Sequence, residues 1–176
     1  MVRAILAGKK TQTRRIVSSA LVALEPEMWQ PKRPGIWETY DHLDPGMVEV
    51  GSPYGVPGDF LWVRETWAPS VVPGRAPLYR ADLADIKTGW RWHPSIHMPR
   101  AASRIDLEVV SVSVERLHSL DEADAFAEGV SGSGYVGQTP HRDHFAAIWD
   151  AINGKRGSWE SNPWVWVVNF NRKETA

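Results

Sequence analysis

Apolar positions along the chain keep helical spacing in some stretches and strand alternation in others. Phe145, Ile148, Trp149 and Ile152 stand at i, i+3, i+4 and i+7, with Gly154 close behind. This spacing predicts an amphipathic helix over 141–152 whose apolar stripe faces the core. Val2, Ile5 and Leu6 predict a short helix over 3–7, with Gly8 in the place of a C-cap. Ser119-Leu120-Asp121-Glu122 carries a capping-box pattern and opens a further helix that runs to Ala127 or Glu128, where Gly129 ends it.

Strand signals lie between these helices. The turn Pro57-Gly58-Asp59 precedes the aromatic run Phe60 to Trp67, which reads as a central strand. Residues 78–80 predict a short strand, and 164–170, after Pro163, a last one. The clearest strand covers 104–116, but its apolar phase changes. Ile105, Leu107 and Val109 share one parity and Val110, Val112 and Val114 the other, which calls for a bulge near Val109-Val110. Residues 90–100 contain Pro94 and Pro99 and read as a structured loop. The polar segment 131–140 reads as a mobile loop. From Glu25 to Gly58, prolines and glycines recur among scattered Trp29, Ile36, Trp37 and Val48, so an irregular excursion with one short strand is expected. Strands interrupted by short helices, without regular βαβ alternation, point to an α+β, barrel-like fold.

Length and composition narrow the classes. A chain of 176 residues suits one core and one domain, with 25–57 as an insertion. No apolar run reaches membrane-spanning length, and Met1 to Ala7 is too short for a secretory signal, so a cytoplasmic location is expected. The absence of cysteine removes disulfides, thiolate nucleophiles and cysteine-bound zinc. A net charge of -1 argues against an extended phosphate-binding surface and leaves a single nucleoside as an easy ligand. Most of the 10 tryptophans should pack in the core, with one or two lining a pocket.

Candidate chemistry concentrates in Gly8-Lys9-Lys10-Thr11-Gln12-Thr13-Arg14-Arg15. Composition alone makes this a solvated basic loop. Should the backbone turn so that Lys10 meets Thr13, a partly desolvated lysine would activate the threonine hydroxyl. Glu128 closes a predicted helix, where the negative end of the helix disfavours a carboxylate and would raise its pKa on burial. The pairs His93/His97 and His141/His144 lack a His-Glu-x-x-His pattern, so neither metal nor cofactor is expected.

The segment Ile5 to Arg15 resembles the opening motif of ASCH domains, in which a helix ends in Gly-x-Lys-Thr and leads to Thr-x-Arg. Pro57 to Trp67, the loop Pro94-Ser95-Ile96-His97-Met98-Pro99-Arg100, and 153–157 through 163–166 are similar to longer ASCH proteins of phage and prophage genomes. The resemblance implies a PUA-like mixed β-barrel with short flanking helices. It also implies N4-acylcytidine amidohydrolase activity. Lys10 then corresponds to the general base, Thr13 to the nucleophile or water-positioning group, and Glu128 to the acid that protonates the leaving nitrogen. Arg15 would meet the oxyanion or the base, and Trp67, Ser95, Met98 and Arg100 would line the pocket. The alternatives are a ribonuclease or RNA-binding module, using Lys9, Lys10, Arg14 and Arg15 on phosphate, and a reader of modified bases without turnover.

Overall fold

The computed structural model describes residues 1–41, 46–83, 89–130 and 141–173. The expected mobile loop 131–140 lies outside the described residues. Four antiparallel strands form the main sheet in the order β1 (Gln12–Ile16), β9 (Trp164–Lys173), β8 (Asp106–Arg116) and β5 (Phe60–Trp62). β2 (Gln30–Arg33), β3 (Ile36–Asp41) and β4 (Gly46–Gly51) form a meander, and β6 (Trp67–Ala68) pairs with β7 (Leu78–Tyr79). Among the described residues four α-helices, α1 (Val2–Leu6), α2 (Ser19–Val22), α3 (Glu122–Ala127) and α4 (His141–Asn153), complete a mixed α+β architecture. Among the described residues β1 and β5 are the edges of the main sheet, and no pairing joins them.

The phase change in β8 is a bulge. Its register against β9 jumps between Val109 and Ser111, leaving Val110 outside the ladder and exposed. Trp166 then shares a face with Val112 and Val114, while Val165 and Val167 face the other way. On the second face Val165 and Val167 pack with Leu117, Ala125, Phe145 and Trp149 beneath α3 and α4. On the first, Trp166 meets Trp37 and Val50 of the meander and Trp29 just before it, with ring centroids 5.2 Å from Trp37 and 5.8 Å from Trp29. Such tilted pairs each add about 0.5–1.5 kcal/mol beyond area burial.

Several expectations require correction. The excursion 25–57 holds the three-stranded meander in place of one short strand. Its pattern is obscured because Trp37 and the polar Thr39 point inward while Tyr40 faces solvent, and Lys32 links Glu38 and Glu49 by ion pairs of 3.2 and 2.8 Å. The run from Phe60 to Trp67 is not a central strand. β5 is an edge, and the run breaks at Arg64, which stacks over Trp62, and Glu65, which turns inward to Arg104. The capping box of α3 is formed by Asp121 and Asp124, not by Ser119 and Glu122. The Glu122 carboxylate accepts instead from the His141 and Arg142 backbone N–H groups at the start of α4. In α4 only Phe145 and Trp149 of the stripe are buried; Ile148 and Ile152 are exposed.

Candidate active site

The site is built on the edge strand β1. Phe170 N–H donates to the Thr11 carbonyl and Val17 N–H to the Trp164 carbonyl. Odd-numbered residues therefore turn their backbone groups to β9, and Gln12, Arg14 and Ile16 turn theirs to the open edge. Side chains alternate across the sheet. Gln12 and Arg14 are buried towards α3, whereas Thr13 and Arg15 lie on the opposite face.

Gly8, at φ 67°, ends α1 and sends the chain back across the end of α3. Thr11 N–H donates to the Ala127 carbonyl, and Lys10 bridges Glu128. Lys10 is thereby buried, 4% exposed. Its Nζ donates to Glu128 Oε2 at 2.5 Å, to the Glu128 carbonyl at 2.8 Å and to the Gln12 carbonyl at 2.8 Å. These acceptors engage all the donors of an ammonium and also satisfy a carbonyl at the negative end of α3. Burial lowers the pKa of Lys10; the Glu128 carboxylate opposes that shift, and Arg15 and Arg14 add to it. Gly129, at φ 83°, permits the approach, because a Cβ there would stand 2.9 Å from Lys10 Cβ and 3.0 Å from Ala4 Cβ.

Arg14 lies beside this pair. It donates to Gln12 Oε1 and, at 2.8 Å, to Asp124 Oδ2, while the Gln12 amide donates to Asp124 Oδ1 and Asn169 Oδ1 at 3.0 Å each. Burial alone would raise the Asp124 carboxyl, but the Gln12 amide and the Arg14 guanidinium outweigh it and hold it below the ordinary value. The network is incomplete at two atoms. Among the described residues, Arg14 Nε and Glu128 Oε1 are buried without a hydrogen-bond partner. Glu128 Oε1 lies 3.9 Å from Arg14 Nη1, beyond hydrogen-bond reach. A buried donor and a buried acceptor thus stand unpaired in one site, each costing about 1–3 kcal/mol unless a ligand meets it.

Arg14 and Glu128 line a cleft of about 1490 Å³ that wraps around the β1 edge. Ile148, Trp149 and Ile152 of α4 form one side, and Arg15, Tyr54 and Trp164 belong to the other face of the sheet. The exposure of Ile148 and Ile152 follows from this opening.

Of the catalytic candidates, Lys10 and Glu128 are brought together and Thr13 is not. Thr13 Oγ1 accepts from Arg15 Nη1 at 2.7 Å on the other face of β1. Arg15 and Ser95 line the cleft. Trp67, Met98 and Arg100 do not. Met98 is buried with Tyr79 and Ala102, its Sδ accepting from Glu65 N–H at 3.2 Å, and Trp67 packs against that cluster and stacks on His93. Arg100 pairs with Asp106 at 2.6 Å, beside the β5 edge. Gln12, Arg14 and Asp124 were not anticipated as members of one polar site. Their signal is the period-two series Lys10, Gln12, Arg14, which an extended edge strand puts on one face.

No protein family, curated protein or solved structure matches this chain. The site therefore rests on its own geometry. Among the described residues no group of three or more His, Asp or Glu side chains is arranged to hold a metal ion. Nor is any described helix long and apolar enough to cross a membrane.

Proposed function

We propose that the chain is an ASCH-type amidohydrolase with a PUA-like fold, which removes the acyl group from N4 of an acylated cytosine nucleoside. The observation that carries this reading is that Arg14 and Glu128, two residues lining the cleft, hold a buried donor, Nε, and a buried acceptor, Oε1, with no hydrogen-bond partner among the described residues. Amide hydrolysis needs this combination: an acceptor for a proton of water and a donor for the carbonyl oxygen that becomes negative. The meeting of the Gly-x-Lys-Thr segment with the glutamate ending α3 supports the ASCH resemblance.

The geometry favours a different division of roles from the one implied by that resemblance. The Lys10 ammonium directs all its protons to fixed acceptors, so in that state it offers no lone pair to a hydroxyl. Lys10 is then the positioning residue that anchors one carboxylate oxygen. Glu128 Oε1 takes a proton from water as the water oxygen bonds to the acyl carbon. Arg14 stabilises the resulting oxyanion. Collapse breaks the C–N4 bond, and the proton held by Glu128 passes to the leaving nitrogen, releasing cytidine and a carboxylic acid. Thr13 is not required as the nucleophile.

The RNA-module alternative is less well supported. Of its four phosphate-binding candidates, Lys10 and Arg14 are buried and engaged with carboxylates.

The test is release of cytidine from N4-acetylcytidine, followed by chromatography. Glu128→Gln should lose about 10²–10⁴-fold in rate, the usual worth of acid–base catalysis, measured on the molecules that remain folded because the change also leaves Lys10 buried without its carboxylate. Thr13→Ala should retain activity within tenfold. No release by the wild-type protein would sink the proposal, and an inactive, folded Thr13→Ala would restore the hydroxyl as nucleophile.

A further inference from the structure

The cleft has an electrostatic character that the whole chain lacks. Net charge is -1, yet the charged residues on the cleft wall are Arg14, Arg15, Arg116 and Arg156 against a single carboxylate, Glu128. Arg14 and Glu128 belong to the buried network. The other three arginines are exposed, and among the described residues none has a carboxylate partner. Arg15 donates to Thr13 Oγ1 and the Arg14 carbonyl, and Arg116 lies over the Trp164 ring, 4.5 Å from its centroid, so both are held by neutral groups that leave their charge uncompensated. By β-sheet alternation Arg15, Trp164 and Arg116 share one face, at the rows that pair Arg15 with Trp166 and Trp164 with Arg116. The cleft, at about 1490 Å³, also exceeds the roughly 300–1,000 Å³ of ordinary small-ligand pockets.

We infer that the ligand of this cleft is anionic, and that the substrate is an acylated cytosine nucleotide whose phosphoryl group is met by Arg15, Arg116 and Arg156. This rests on the amidohydrolase reading for the acyl group but not for the phosphate. The exposed Ile148 and Ile152, on the side of Arg14 and Glu128, supply apolar surface for the flat part of the ligand, and the guanidinium groups beyond the β1 edge supply charge-assisted donors for phosphate oxygens.

Calorimetry with cytidine and cytidine 5′-monophosphate at low ionic strength tests the inference without turnover. The monophosphate should bind at least tenfold more tightly. The gap should close in an Arg15→Gln, Arg116→Gln, Arg156→Gln triple variant and shrink as salt is raised. The N4-acetylated monophosphate should likewise exceed N4-acetylcytidine at least tenfold in kcat/KM. Equal affinity of the wild-type protein for cytidine and its monophosphate overturns the inference and leaves the amidohydrolase reading standing. Tight monophosphate binding with no hydrolysis of either acetylated compound retains the anion site and removes the amidohydrolase reading. A short cytidylate oligonucleotide provides the remaining arm. Binding tighter than that of the monophosphate assigns the phosphoryl groups to a nucleic-acid strand, and equal or weaker binding assigns them to a free nucleotide.

Discussion

Among the described residues two glutamates are buried against basic side chains, and the two clusters differ in completeness. Glu65, on the chain between β5 and β6, receives Arg104 through both oxygens, at 2.9 and 3.1 Å. The same guanidinium donates to Asp82 at 2.7 and 2.9 Å and lies 3.9 Å above the Tyr79 ring. Burial would lower the pKa of Arg104, but the paired carboxylates of Glu65 and Asp82 raise it well above its ordinary value. Both Glu65 oxygens are engaged, and four of the five Arg104 N–H donors have carboxylate acceptors. At Glu128 one oxygen is held by Lys10 and the other, 3.9 Å from Arg14 Nη1, has no hydrogen-bond partner among the described residues, nor has Arg14 Nε. A completed network holds a loop in place. An incomplete one at a cleft wall retains capacity for a ligand, and that capacity separates a structural clamp from a candidate site.

The strongest way to break this contrast is to remove one partner from each cluster. Lys10→Met leaves Glu128 buried without its cation, and Glu65→Ala leaves Arg104 with Asp82 alone. Each should cost about 3–5 kcal/mol in urea unfolding, the Glu65 variant at the lower end because Arg104 is partly exposed. Only Lys10→Met should also abolish turnover of the molecules that remain folded. Loss of turnover in folded Glu65→Ala would remove the distinction between clamp and site.

A smaller effect is expected at the hinge that brings α3 to Lys10. Gly129→Ala puts a side chain into a left-handed conformation, which costs about 1–2 kcal/mol, and crowds Lys10 Cβ. Chemical denaturation and the rate measured together should both fall. An unchanged rate with reduced stability would show that the Lys10 position tolerates displacement.

The smallest effect concerns pH. Asp124 has its folded pKa held below the ordinary value of 3.8. Its stabilising contribution is present above that value and is lost as pH falls through the lower folded one. Asp124→Asn should therefore flatten the acid limb of the stability curve, measured by thermal midpoint between neutral and acid pH, and leave neutral turnover within a few-fold. An acid limb identical to wild type would show that the Arg14–Asp124 contact is not coupled to folding.

Much of this arrangement was legible in the residues. The bulge in β8 followed from the parity change at Val109-Val110, because a one-residue insertion is the local way to keep both halves of a long strand facing apolar neighbours. Helix α4 followed from its spacing, and Gly8 and Gly129 marked the chain reversals beside the site. The meander was not legible. Its strands hold one face with Trp37 and Val50 and the other with cross-strand charges, and Thr39 occupies an inward position, so no alternation of apolar and polar residues survives in the sequence.

The candidate site divides in the same way. Sequence by itself determined which functional groups are present near the end of α1 and the end of α3, but read as a basic loop the segment 8–15 did not show the strand alternation that separates Arg14 from Thr13 and Arg15. Only the tertiary structure decided that β1 lies at a sheet edge, that α3 ends against it, and that Lys10 and Arg14 are buried beside Glu128 instead of standing in water. The physical reason is that burial and pairing depend on which distant segments meet. A lysine and a glutamate 118 positions apart become a buried pair, with one carboxylate oxygen left unmatched among the described residues, only when the fold brings them together and removes their solvent.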